Sequence, residues 1–124
     1  MLYVGGTVLP YHLAIGSQWK VHHFSTDMAN HAWMQQEEEM FLANPETVFG
    51  PAQMATLQNI GKATGLDFVG IDCALNQAGE VMLFEANAAM LVSGSNNAFP
   101  YKTPYVRKIK ETFDLMLGHK AGVV

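Results

Sequence analysis

Two acids and an amide, Asp72, Glu85 and Asn87, fall close together in the segment GIDCALNQAGEVMLFEAN, Gly70 to Asn87. The segment reads as a β-hairpin, with strand-like runs over 66–75 and 80–87 joined by Asn76-Gln77-Ala78-Gly79. Side chains alternate faces along a strand, so Glu85 and Asn87 share one face. With Ala78-Gly79 as the central turn residues, Gln77 pairs with Glu80 and Asp72 comes directly opposite Glu85. Directly opposed residues hold their Cβ atoms about 4.5–5.5 Å apart, and like charges in that position destabilise a sheet. A divalent cation reverses the sign of that interaction. Hard cations such as Mg²⁺ take oxygen ligands, commonly one or two carboxylates, and leave the remaining positions to water or phosphate. Zinc would call for His or Cys, and neither flanks this hairpin on the same face.

The opposite face of this register would carry Val69, Ile71, Cys73, Leu75, Met82, Phe84 and Ala86, an apolar surface for helices to cover. The face with the acids would carry Gly70, Asp72, Ala74, Leu83, Glu85 and Asn87. A slip of one residue would drive both acids into the core, so the pattern specifies the register. From the residues alone, two readings stay open: a metal site, or two solvated acids on a sheet surface.

The elements that must position this hairpin can be read from periodicity. Residues 2–24 read as β structure, in runs Leu2–Val4, Val8–Ile15 and Trp19–Phe24 separated by Gly5-Gly6 and Gly16-Ser17. A helix is expected over 32–43, with Trp33, Met40 and Phe41 on its inner face and Glu37-Glu38-Glu39 solvated. A second runs from Pro51 to Thr64 with Met54, Leu57, Ile60 and Ala63 inward and Gly65 as its stop. Residues 88–102 form a loop of mostly small residues. A last helix starts at Thr103-Pro104, buries Val106, Ile109, Phe113 and Met116, and ends at Gly118. The expected fold is α+β, a mostly antiparallel sheet flanked by helices, in one domain over residues 1–124.

Composition agrees with a packed chain: 124 residues, 49% hydrophobic and 15% charged. A net charge of −4 gives no basic footprint for nucleic acid. No apolar run approaches the roughly 18–20 residues of a membrane helix. The single cysteine, Cys73, rules out an internal disulfide, fits a small buried apolar role and suits a reducing, cytoplasmic setting. The strand-like run beginning at Leu2, without a linker before it, reads as the continuation of an upstream piece.

Among the remaining polar residues, His12 and Lys20 are candidates for phosphate or substrate contact. Lys102 and Arg107 are further candidates for an anionic group. His22 and His23 are adjacent on a strand and cannot both serve one site. Trp19 and Trp33 read as packing anchors.

Asp72, Glu85 thirteen residues later, and Ala86-Asn87 together resemble the magnesium signature of the ATP-grasp superfamily, and Leu83-Phe84-Glu85-Ala86-Asn87 is similar to its closing E-x-N strand. Gly5–Pro10 is similar to the hairpin that opens the C-terminal half of that domain, and Pro51–Thr64 followed by Gly65-Leu66-Asp67 to its helix before the aspartate strand. The resemblance implies the C-terminal lobe of an ATP- and Mg²⁺-dependent carboxylate–amine or carboxylate–thiol ligase acting through an acylphosphate. It implies that Asp72, Glu85 and Asn87 hold one or two Mg²⁺ ions on the phosphates of ATP, and that Ala74, with Leu83, lies against adenine. Partners would be ATP and a carboxylate-bearing small molecule or peptide. The glycine-rich lid and phosphate lysines of the family would precede Met1, so this chain alone would be inactive and prone to self-association. Two departures stand out: Gly70 where many members carry arginine, and Ala88-Ala89-Met90 where many continue with Pro-Gly. The alternative is a stand-alone remnant or interaction module that keeps the sub-fold without catalysis.

Overall fold

A computed structural model describes residues 1–15 and 27–122; the expected strand Trp19–Phe24, with Lys20, His22 and His23, lies outside the described residues. Among the described residues four strands, β1 (Leu2–Val4), β2 (Thr7–Leu9), β3 (Phe68–Leu75) and β4 (Val81–Asn87), form one sheet in the order β2-β1-β3-β4. Every neighbouring pair is antiparallel. Three helices pack on it, α1 (Ala32–Ala43), α2 (Pro51–Thr64) and α3 (Thr103–Lys120), so the chain is α+β as expected. The second strand is shorter than its apolar run. It stops before Pro10, which has no N–H to donate to a ladder.

Alternation along the strands sorts the core into two halves. Met1, Tyr3, Val69 and Ile71 pack with Phe41 and Leu42 of α1 and Leu57 of α2. Leu2, Val4 and Leu9 pack on the other face with Val106 and Ile109 of α3, where Phe68 meets Phe113 edge-on at 5.4 Å. Helices therefore cover both faces of the sheet, α3 lying on the face that carries Gly70 and Asp72.

Two helix faces differ from expectation. In α1 the inward residues are Glu38, Phe41 and Leu42, spaced i, i+3, i+4, while Trp33 and Met40 are 52% and 60% exposed. The middle glutamate of the charge run is thus in the core, and Trp33 is no packing anchor. In α2 the inward position next to Leu57 is Gly61, not Ala63, because α2 lies directly on the ring of Tyr3. The last helix runs two residues past Gly118 to Lys120, and a 3-10 turn, Pro100–Lys102, leads straight into it.

Candidate metal site on the carboxylate hairpin

The hairpin turn is one residue longer than its sequence suggests. Asn76 pairs with Glu80 around Gln77-Ala78-Gly79: the Asn76 N–H donates to Glu80 O at 3.0 Å and the Gly79 N–H to Asn76 O at 3.0 Å. Gly79 takes φ of 78°, the left-handed position that a three-residue hairpin loop places there. The Asn76 carboxamide oxygen accepts the Glu80 N–H at 2.9 Å, and Gln53 of α2 donates to Gly79 O at 2.7 Å. The turn is held from within and from α2.

Carried along the ladder, that longer turn would set Asp72 opposite Phe84. It does not, because the register shifts between Asp72 and Cys73 and Phe84 has no partner across the ladder. Beyond this bulge Asp72 pairs with Glu85, Ile71 with Ala86, and Gly70 with Asn87. The pairing of the two acids expected from sequence holds, but through a longer turn and a compensating bulge rather than a regular ladder. A bulge that restores one pairing is the kind of local feature that re-aims side chains beside functional sites.

The same shift corrects the two faces near the turn. Leu83 pairs with Cys73, and Met82 with Ala74, so Ala74 and Leu83 do not share a face. Met82, Leu83 and Phe84 are 46%, 48% and 63% exposed: among the described residues β4 is the last strand of the sheet, and of its side chains Val81 is the one that packs on the core. Cys73 is half-buried against the core, and burial raises its thiol pKa.

Asp72 and Glu85 are exposed and Asn87 is half-buried. No ion pair joins either acid to a cation among the described residues. The Asn87 side-chain oxygen accepts the Ala89 N–H at 2.8 Å, which fixes the amide and leaves a second lone pair on that oxygen. Two carboxylates and an oriented amide oxygen on one face suit a hard, oxygen-seeking cation. Among the described residues no group of three or more His, Cys, Asp or Glu side chains converges as a metal cage. Ligation here would draw on the amide and on water.

Gly70, across the ladder from Asn87, is covered by its own loop. A Cβ there would lie 2.3–2.8 Å from the side chain of Met90, so the absence of a side chain at 70 is what admits Met90. Where the resemblance leads one to expect a basic side chain, this chain has a thioether against bare backbone.

Of the other candidates, His12 and Lys102 lie in a buried polar cluster centred on Glu38, a residue expected from sequence to be solvated. Glu38 and Lys102 are 0% and 1% exposed, with Lys102 Nζ 3.7 Å from a Glu38 carboxylate oxygen. Glu38 also accepts the Tyr101 O–H at 2.6 Å and the Leu13 N–H at 2.9 Å. His12 Nδ1 bonds Lys102 Nζ, and that ammonium lies 5.2 Å from the centre of the Tyr11 ring. Lys102 thus has an internal carboxylate as its anion. Arg107 lines a separate cavity of about 380 Å³ with Gly94, Lys110, Glu111 and Asp114, a balanced set of charges. The only sequence signal for the cluster was the spacing of Glu38 to Phe41 and Leu42, masked by its place in a triple glutamate.

Burial pushes the Lys102 ammonium down to about 8, against the opposing pull of Glu38. Burial and the bond to Glu38 both push the Tyr101 hydroxyl up. A lysine whose folded pKa is below its unfolded value of 10.5 leaves the unfolded chain holding more protons between those two values. Stability from this group therefore rises with pH from about 8 toward 10.5. Cys73 and Tyr101 act in the opposite sense at the upper end, so the clean window is pH 8 to 9. Denaturant titrations should show the native protein gaining on Lys102→Met across that window, by at most about 1.4 kcal/mol per unit. A constant difference would contradict the assignment.

Comparison with family models, with curated proteins and with solved structures found no match. No helix among the described residues is long and apolar enough to cross a membrane.

Proposed function

We propose that this chain supplies the magnesium-holding hairpin of an ATP-dependent ligase of the ATP-grasp type, with Asp72, Glu85 and Asn87 as ligands. The observation that carries this reading is the pairing of Asp72 with Glu85, recovered across a bulge, with Asn87 next along the same face. Two like charges set opposite each other cost a sheet stability; the Met1 ammonium attracts Asp72, but among the described residues neither acid is ion-paired, and a bound cation would relieve the repulsion. Bound Mg²⁺, one or two ions, would neutralise phosphate charge and orient the reacting groups during phosphoryl transfer to a carboxylate. Asp72 and Glu85 would provide the charge, and Asn87 a neutral oxygen held in place by Ala89. Ala74, in the same strand, is proposed to lie against the nucleotide base. The substrates would be ATP and a carboxylate-bearing small molecule or peptide. The resemblance assigns no residue of this chain to the glycine-rich lid or to the phosphate-binding lysines, so the proposed role is metal ligation rather than turnover.

A second reading has one observation in its favour. Met90 packed on Gly70 puts an apolar group where the resemblance leads one to expect a cation. That favours a non-catalytic module that keeps the metal hairpin.

Thermal melts with and without millimolar Mg²⁺ test the ligand assignment. Without metal, Asp72→Asn is expected to stabilise the protein by a few tenths to about 1 kcal/mol, since it removes a like-charge pair. With Mg²⁺ the native protein should gain stability by binding linkage, and Asp72→Asn should not. Equal Mg²⁺ responses in the two proteins would exclude the site. Mg²⁺-ATP added to the chain alone should bind weakly or not at all, and micromolar affinity would contradict the division of roles proposed here.

A further inference from the structure

We infer that Tyr11 is a positioning residue for the carboxylate hairpin, its hydroxyl fastening the segment that leaves Asn87 and so fixing the Asn87 amide. What is positioned rests on the reading of Asp72, Glu85 and Asn87 as ligands; the fastening itself does not.

Asn87 is the last residue of β4, and fifteen residues separate it from the start of α3 at Thr103. Only one 3-10 turn, Pro100–Lys102, interrupts that connection. Long connections of this kind in a small domain are mobile unless something ties them down, and they concentrate at functional sites. Here the ties follow one another. The Ala89 N–H donates to the Asn87 side chain at 2.8 Å. Met90 packs on Gly70, which is Asn87's partner across the ladder. The Ser93 N–H then donates to the Tyr11 hydroxyl at 3.0 Å. Tyr11 is only 6% exposed and belongs to the core half built on Leu2, Val4 and Leu9. Leu2 is Gly70's partner on the other side. At the far end of the connection, the Lys102 ammonium sits over the same Tyr11 ring and next to Glu38. One aromatic residue therefore holds the connection near its middle through the hydroxyl and at its end through the ring. Ahead of Ser93, Met90 and Val92 also pack on this core half while Leu91 is 87% exposed, so the hydroxyl bond adds a directional tie to the apolar contacts on either side of Leu91.

Tyr11→Phe separates fastening from packing, because it keeps the ring in the core and removes the acceptor for Ser93. Amide hydrogen exchange should quicken about tenfold at Ser93 and Ala89 while Leu57, in the core of α2, keeps its native rate. Mg²⁺ affinity, read by titration well below the melting temperature, should fall several-fold. A merely structural tyrosine would alter Leu57 as much as Ala89. Unchanged exchange at Ala89 in Tyr11→Phe would overturn the inference, as would faster exchange with Mg²⁺ affinity intact. A native protein that takes up no Mg²⁺ would overturn the ligand reading, and positioning with it. The exchange rates tell that failure from a failure of the fastening.

Discussion

Glu38→Ala is expected to destabilise the protein by about 3–5 kcal/mol, the range for breaking a buried ion pair from one side. The glutamate is 0% exposed and holds the Tyr101 hydroxyl and the Leu13 N–H as well as the charge of Lys102. Its removal strands a buried cation and takes the acceptor from two donors, each costly to leave unmade. The reverse change should cost much less. Lys102→Met removes the charge that burial already penalises, and Glu38 keeps its bonds from Tyr101 and Leu13. Lys102 lies 3.7 Å from the carboxylate, so what Glu38 loses is mainly Coulombic attraction, to which the loss of the His12 bond and of the contact with the Tyr11 ring is added. A loss of about 1–2 kcal/mol follows. Urea denaturation of both variants checks the asymmetry. Equal losses would mean that the lysine, not the glutamate, organises the cluster.

Gly61→Ala should destabilise by about 1–3 kcal/mol even though alanine is the better helix former by about 1 kcal/mol. A Cβ at position 61 would fall 2.1–2.7 Å from carbons of the Tyr3 ring. That ring is buried in the central strand β1, between β2 and β3, and has no room to retreat. The contact sets how closely α2 approaches the sheet. Because Gln53 of α2 also holds Gly79 O, a displaced helix would pull on the turn of the carboxylate hairpin. The variant should therefore unfold earlier in denaturant and show shifted Gly79 and Glu80 amide resonances. A stabilised Gly61→Ala would contradict the packing.

Much of this architecture was legible because it rests on local chemistry. The bounds of α1 and α2 follow from apolar spacing, with Pro51 and Gly65 marking the ends of α2, and the hairpin follows from two apolar runs around a glycine turn. The pairing of Asp72 with Glu85 was legible for a less direct reason. Burying either acid is so unfavourable that the ladder absorbs a longer turn with a bulge at Phe84 rather than slip by one residue. What could not be read were the features set by tertiary contact. Glu38 belongs to the core only because Tyr101, Lys102 and Leu13 come to it from distant parts of the chain. Gly61 faces inward because Tyr3 occupies the space above it. Leu83 changed faces because the bulge lies between it and Glu85. In each case periodicity along one element carries no information about the partner that decides the outcome.

The metal assignment has a direct test in paramagnetic relaxation. Mn²⁺ substitutes for Mg²⁺ at oxygen sites and broadens nearby amide resonances of the native protein. The account predicts broadening centred on Asp72, Glu85 and Asn87, reversed by excess Mg²⁺ and lost in Asp72→Asn. Broadening spread over the other surface acids, or its persistence in Asp72→Asn, would contradict it.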